Sequence, residues 1–147
     1  MMIIDLTDRH AIVTGSTSGI GFAIAKGLAE AGATIVVNGR THHKVEQAKE
    51  RLIGCVPRAK VHGIAADLST ADGVAAFVQR APETDVLVNN LGIFEPKPFE
   101  SITDDDWRRF FDTNVMSGVR MCRALDAVLG PASPGRAASS QARNGAA

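Results

Sequence analysis

The chain has no tyrosine, one tryptophan and two cysteines among its 147 residues. Without tyrosine, no phenol is available anywhere along it as a tunable general acid. Two cysteines, Cys55 and Cys122, are too few for a disulfide framework, so unpaired thiols in or near the core and a reduced, cytosolic (cytoplasmic) setting are expected. No uninterrupted apolar run approaches the roughly 20 residues of a membrane helix, so no membrane association is expected. A surplus of one charge is lacking too. Sixteen basic residues balance 16 acidic ones, which argues against a nucleic-acid binder. The four histidines share no metal-ligand spacing, so no metal site is expected. The segment 1–8 has no basic n-region and no small-residue cleavage site, so no secretory signal is expected. The remainder is ordinary for a single globular domain: 45% apolar and 22% charged.

Composition changes sharply at Gly130. Residues 130–147 hold six Ala, three Gly, three Ser, two Pro, two Arg, one Gln and one Asn, and no Leu, Ile, Val, Phe or Met. Such a segment has almost nothing to bury, so its ordering entropy is not offset, and a disordered tail is expected. Residues 1–129 are the expected globular body.

Within that body, strand and helix patterns alternate. His10–Thr14, Thr34–Asn38, Lys60–Ala65 and Val86–Asn89 are short apolar runs suited to buried strands. Between the first two, Ile20, Ala23, Ile24, Gly27, Leu28 and Ala31 recur at helical spacing, and Gly32 supplies a stop. A polar helix is predicted over about Thr41–Ile53. Another is predicted over about Thr70–Arg80, with Ser69 and Asp72 at capping-box spacing. Thr103 followed by Asp104, Asp105 and Asp106 repeats that signature and places three carboxylates at the positive end of a helix dipole. A last helical stretch, about Asn114–Leu129, is loosened near Gly118. Trp107, Phe110 and Phe111 fall at helical spacing and suit a core or an interface. Strands of this kind alternating with helices predict an α/β fold with a parallel sheet covered on both faces.

The strongest site signal is Thr14-Gly15-Ser16-Thr17-Ser18-Gly19-Ile20-Gly21, between a predicted strand and a predicted helix. In that context Gly15 permits a tight turn, Gly19 lets backbone approach a phosphate, and Gly21 lets the helix pack closely on the sheet. Amide groups of the first helical turn then face the anion, and Ser16, Thr17 and Ser18 add hydroxyls. At the end of the second strand, Asn38-Gly39-Arg40 carries no carboxylate to hold a ribose 2′-hydroxyl. Arg40 can instead pair with a 2′-phosphate, which favours NADP over NAD, although Ser18 adds no second cation.

The pattern Thr-Gly-x-x-x-Gly-x-Gly resembles the cofactor loop of the short-chain dehydrogenase/reductase family. Three further matches follow in order over roughly residues 4–129. Asp67-Leu68 resembles the family's adenine-side Asp, although an Asp there also suits a simple turn. Asn89-Asn90-Leu91-Gly92 resembles its Asn-Asn-Ala-Gly motif, with Asn89 expected near the cofactor ribose and Asn90 tying neighbouring strands. Asn114 resembles the Asn of its catalytic tetrad. The resemblance implies a partial, doubly wound Rossmann fold of about four parallel strands in the order 3-2-1-4. It also implies hydride transfer between a nicotinamide and a small-molecule carbonyl or secondary alcohol. The final helix is similar to one that packs in the family's dimers or tetramers, which leaves a homo-oligomer open.

The same resemblance exposes what is missing. The family's tyrosine has no counterpart, and no lysine follows Lys97. Ser139 and Ser140 stand roughly where the family's serine comes but lack the β-branched surroundings of its strand. Of the tetrad only Asn114 remains. The expectation is therefore a truncated or frame-shifted oxidoreductase that is inactive alone, with strand four left as an open edge. The alternative is a non-catalytic nucleotide-binding or interaction module.

Overall fold

A computed structural model describes residues 3–129 and 137–138 of the chain. Four strands come in chain order: β1 His10–Val13, β2 Thr34–Gly39, β3 Val61–Ala65 and β4 Val86–Val88. They are parallel, as the alternating patterns predict, and lie in the order β3-β2-β1-β4, as the family resemblance implies. The open edge expected at β4 is corrected. A two-residue strand, β5 Ala137–Ala138, pairs parallel with Leu87 and Val88. Sheet pairing needs only backbone groups, so two alanines suffice where apolar content predicts nothing. The rest of the expected tail lies outside the described residues, Ser139 and Ser140 included.

The helices are α1 Gly19–Glu30, α2 His42–Cys55, α3 Ala71–Arg80, α4 Asp104–Phe111 and α5 Ser117–Leu129. Strand side chains alternate between two cores because successive residues face opposite sides of the pleat. Ala11, Val13, Ile35 and Val37 pack against Ala25, Ala29, Ala48 and Leu52 of α1 and α2. Ile12, Val36 and Leu87 pack against Phe77, Met121 and Leu125 of α3 and α5. Each fully buried Leu, Ile or Phe contributes about 1.5–3 kcal/mol, and both faces are covered, so the sheet is fixed in register.

Three expectations about helices change. α1 buries the small residues Gly21, Ala25 and Ala29, while Ile20 is 76% exposed. Small residues at i, i+4 and i+8 bring the helix axis close to the sheet, which large ones at the predicted face would prevent. The cap of α3 is Thr70, whose Oγ1 accepts the Gly73 N–H at 3.0 Å, rather than Ser69. The loosened turn is not at Gly118 but at Asp112–Met116, a π-helical turn that joins α4 to α5. One burial expectation also fails: Cys55 is exposed at the end of α2. Trp107 and Phe111 are 61% and 56% exposed, so of the two settings expected for them the core is excluded.

Candidate functional site

β1 ends at Val13, and the chain turns at Gly15 with φ +60°. A side chain is strained there, and a Cβ would also stand 3.1 Å from the Leu91 Cα. Gly19 has φ +58° and opens α1, yet a Cβ there would meet nothing within 4 Å. Space is therefore open over the first turn of the helix. Ser18, the N-cap residue, makes no side-chain cap hydrogen bond, whereas Thr41, Thr70 and Thr103 all cap their helices. Gly21 is the opposite of Gly19. It is buried, and a Cβ would collide with Asn90 Nδ2 and lie 2.5 Å from the Gly15 carbonyl oxygen.

Strand propensity marks Asn38 only as the end of β2, yet its buried side chain shapes the loop. Oδ1 accepts the Gly15 N–H at 3.1 Å, and Nδ2 donates to the carbonyls of Ile64 and Ala66 at 3.2 and 3.3 Å. The Asn38 N–H donates to Ser16 Oγ at 3.0 Å, and its carbonyl accepts the Ser16 N–H at 2.9 Å. Ser16 is thus buried and committed inward. Thr17 is half-buried, while Ser18, Gly19 and Ile20 face outward. Thr14 plays the matching part toward β4. Its Oγ1 accepts the N–H groups of Asn90 and Leu91, both at 3.0 Å. Asn90 Nδ2 returns bonds to the carbonyls of Thr14 and Gly15 at 3.0 and 3.1 Å. The glycine loop is therefore held by amide side chains from both flanking strands, and Asn90 ties neighbours as predicted.

Other predicted residues lie apart. The Asn89 side chain turns to α5, with Nδ2 3.3 Å from Cys122 Sγ and Oδ1 buried without a hydrogen-bond partner. It is not among the groups gathered at the loop. Asp67 Oδ1 accepts the Ser69 N–H at 3.0 Å and the Ser69 hydroxyl at 2.7 Å, so it supports its own turn. Leu68 beside it is buried, and Arg40 is exposed just past β2. Asn114 sits in the π-helical turn. Its Oδ1 accepts the Ile93 N–H at 2.6 Å and its Nδ2 donates to the Ile93 carbonyl at 3.1 Å. Gly92 leaves room for this clamp, since a Cβ there would stand 3.2 Å from Asn114 Oδ1. Arg120, which no motif marks, bridges the Ser69 carbonyl at 2.8 Å and Asp112 Oδ1 at 3.0 Å. It links the Asp67 turn to the turn that carries Asn114.

The loop beyond Ile93 is tied down by charge. Lys97 Nζ lies 2.9 Å from Asp106 and 3.2 Å from Glu95, while Arg109 reaches Glu95 at 2.7 Å and Asp106 at 3.2 Å. The Lys97 bond, then the Thr103 N–H, hold the Asp106 carboxyl well below the usual carboxylate range. Bonding to Asp106 first, then Glu95, raises Lys97. No cluster of three metal-ligating side chains exists among the described residues, and no helix there is long and apolar enough to cross a membrane.

The chain matches the family model described as short chain dehydrogenase over residues 9–140. YvaG, an uncharacterized oxidoreductase of Bacillus subtilis, is 50% identical over 122 residues, covering 83% of this chain and 46% of that protein. Gluconate 5-dehydrogenase of Gluconobacter oxydans is 35% identical over 115 residues, covering 77% of this chain and 45% of that protein. Among solved structures, L-sorbose reductase of Gluconobacter frateurii, complexed with NADPH and L-sorbose, superposes with a TM-score of 0.79 at 33% identity. That superposition covers 86% of this chain and 49% of the reductase. The chain spans about half the length of the curated relatives it matches. A match of that extent, on a sheet whose strand order already agrees with it, makes the chain a member of the short chain dehydrogenase family.

Proposed function

We propose that the chain binds NADP(H) at the carboxyl ends of β1, β2 and β4, as the cofactor-binding part of an oxidoreductase acting on a small carbonyl compound or secondary alcohol. The observation that carries this reading is the open, uncapped first turn of α1 at Gly19. Unpartnered N–H groups at a helix N-terminus favour an anion, and a glycine with free space above it admits the backbone-to-diphosphate approach. The residues present fit that group. The turn beneath it is braced by Asn38, Thr14 and Asn90, so the amides are pre-oriented rather than ordered on binding.

Each remaining contact is a role for this chain's own atoms. Arg40, exposed at the end of β2, pairs with the ribose 2′-phosphate, and no Asp or Glu stands there to select a 2′-hydroxyl. Asp67 Oδ2, which makes no hydrogen bond among the described residues, accepts from the adenine amino group. Asn114, by clamping both backbone groups of Ile93, positions the loop beside Gly92. A nicotinamide, when bound, supplies the hydride donor and acceptor. The substrate oxygen must also exchange a proton, and with no tyrosine in the chain no phenol is available for it. The 147-residue polypeptide therefore binds the dinucleotide without turning substrate over.

Titration calorimetry with NADPH and NADH, followed by NADPH oxidation against a broad ketone panel, tests both parts. NADPH is expected to bind more tightly than NADH, with no oxidation above the protein-free rate. Absence of binding by either nucleotide removes the reading. Turnover by the purified chain removes the claim of inactivity.

A further inference from the structure

Arg40 is one cation, and Ser18 offers none, so a doubly charged phosphate would be left half-matched by the glycine loop and the end of β2. A cleft of about 550 Å³ lies beside that loop, between the start of α1 and the outer face of α2. Thr17 and Ser18 form its loop wall, and Lys44, Gln47, Glu50 and Arg51 its α2 wall. Lys44 sits in the first turn of α2, and Arg51 lies seven residues on, nearly two turns, so both side chains leave the same face.

Arg51 is not a freely swinging surface cation. Its guanidinium stacks over the ring of Phe22 with 4.3 Å to the centroid. Phe22 lies in the first turn of α1, and its N–H bonds the Ser18 carbonyl at 3.3 Å. The ring thus parks a positive charge beside the position where Ser18 supplies none. A cation over an aromatic face is held in place, and its planar N–H fork stays available for an oxyanion. Neither Arg51 nor Lys44 forms an ion pair with a carboxylate among the described residues. Glu50 is the one carboxylate on the cleft wall, and two cations outweigh it.

We propose that Arg51, held by Phe22, and Lys44 form an anion-receiving wall that takes the 2′-phosphate together with Arg40. Preference for the phosphorylated nucleotide is then built largely on α2 rather than on the glycine loop. This inference rests on the nucleotide-binding reading above.

Two probes without a nicotinamide isolate the term: adenosine 2′,5′-bisphosphate and adenosine 5′-monophosphate, titrated calorimetrically into the full chain. The unsubstituted chain is expected to prefer the bisphosphate. Arg51→Gln is expected to lower bisphosphate affinity about tenfold and Lys44→Gln about threefold, with 5′-monophosphate affinity unchanged in both. Phe22→Leu keeps the charge but removes its support, and is expected to cost the bisphosphate about threefold. The bisphosphate preference is also expected to shrink as salt rises. If the unsubstituted chain prefers the bisphosphate and Arg51→Gln and Lys44→Gln leave that preference intact, the α2 wall is overturned while nucleotide binding stands. If the unsubstituted chain binds neither probe, the nucleotide-binding reading falls, and this inference with it.

Discussion

At the scale of single residues, Gly19 and Gly21 look alike in sequence and do opposite work. Gly21 gives up its side chain to the fold, because a Cβ would press on Asn90 Nδ2 and the Gly15 carbonyl. Gly19 leaves its space to solvent. Gly21→Ala is therefore expected to destabilise the chain by about 2–3 kcal/mol through overpacking, read as a lower urea midpoint at unchanged slope. Gly19→Ala carries only the left-handed backbone penalty, about 1 kcal/mol. Equal midpoints for the two variants would contradict this division. The glycines themselves were legible because their spacing is local. Asn38 was not, because the four groups its side chain and N–H engage come from Gly15, Ser16, Ile64 and Ala66, 22 to 28 residues away. A lone polar residue at a strand end carries no mark of such partners.

At the scale of elements, α4 is stabilised by charge more than by burial. Thr103 and Asp106 form a reciprocal capping box, with Thr103 Oγ1 accepting the Asp106 N–H at 3.1 Å and Asp106 Oδ2 accepting the Thr103 N–H at 3.1 Å. Bonds from Lys97, then Thr103, lower the Asp106 carboxyl from its ordinary 3.8. A carboxyl depressed in the folded state adds stability above its unfolded value and loses it as pH falls toward the folded value. Asp106→Asn is thus expected to lower the denaturation midpoint near neutrality, and the gap from the unsubstituted chain should close between about pH 5 and about pH 2. A gap that widens on acidification would refute the assignment. The box was visible as Thr103-Asp104-Asp105-Asp106, since capping is a local, four-residue pattern. The π-helical turn was not. A single inserted residue of backbone slack leaves the apolar spacing of Trp107, Phe111, Val115 and Val119 unbroken, so periodicity passes through it. The parallel sheet was legible from β-branched runs suited to burial on both faces, and its strand order only from the family resemblance. The two alanines of β5 had no such signature.

At the scale of the whole molecule, the proposed nucleotide site is made by elements that the two cores hold independently. α1 and α2 belong to one face of the sheet, α3 and α5 to the other, and the glycine loop joins them where β1 is flanked by β2 and β4. A ligand spanning those strand ends contacts a surface that exists only when both layers are assembled, so it binds the folded chain and not the unfolded one. Linkage then gives about 2.7 kcal/mol of added stability at 100 times the dissociation constant. For a chain of this size that is a rise of roughly 7–12 °C in the thermal midpoint. Saturating NADPH is expected to produce such a rise in the unsubstituted chain. Gly21→Ala should start lower yet rise by a similar amount, because its damage is to packing. Gly19→Ala should start lower by less than Gly21→Ala does and rise little, because its Cβ stands where the proposed diphosphate would lie. Arg40→Gln should keep the rise with NADH and lose part of it with NADPH. Scanning calorimetry of the four proteins with each nucleotide separates these outcomes. A full NADPH shift in Gly19→Ala would mean that the nucleotide stabilises the chain from somewhere other than the opening of α1.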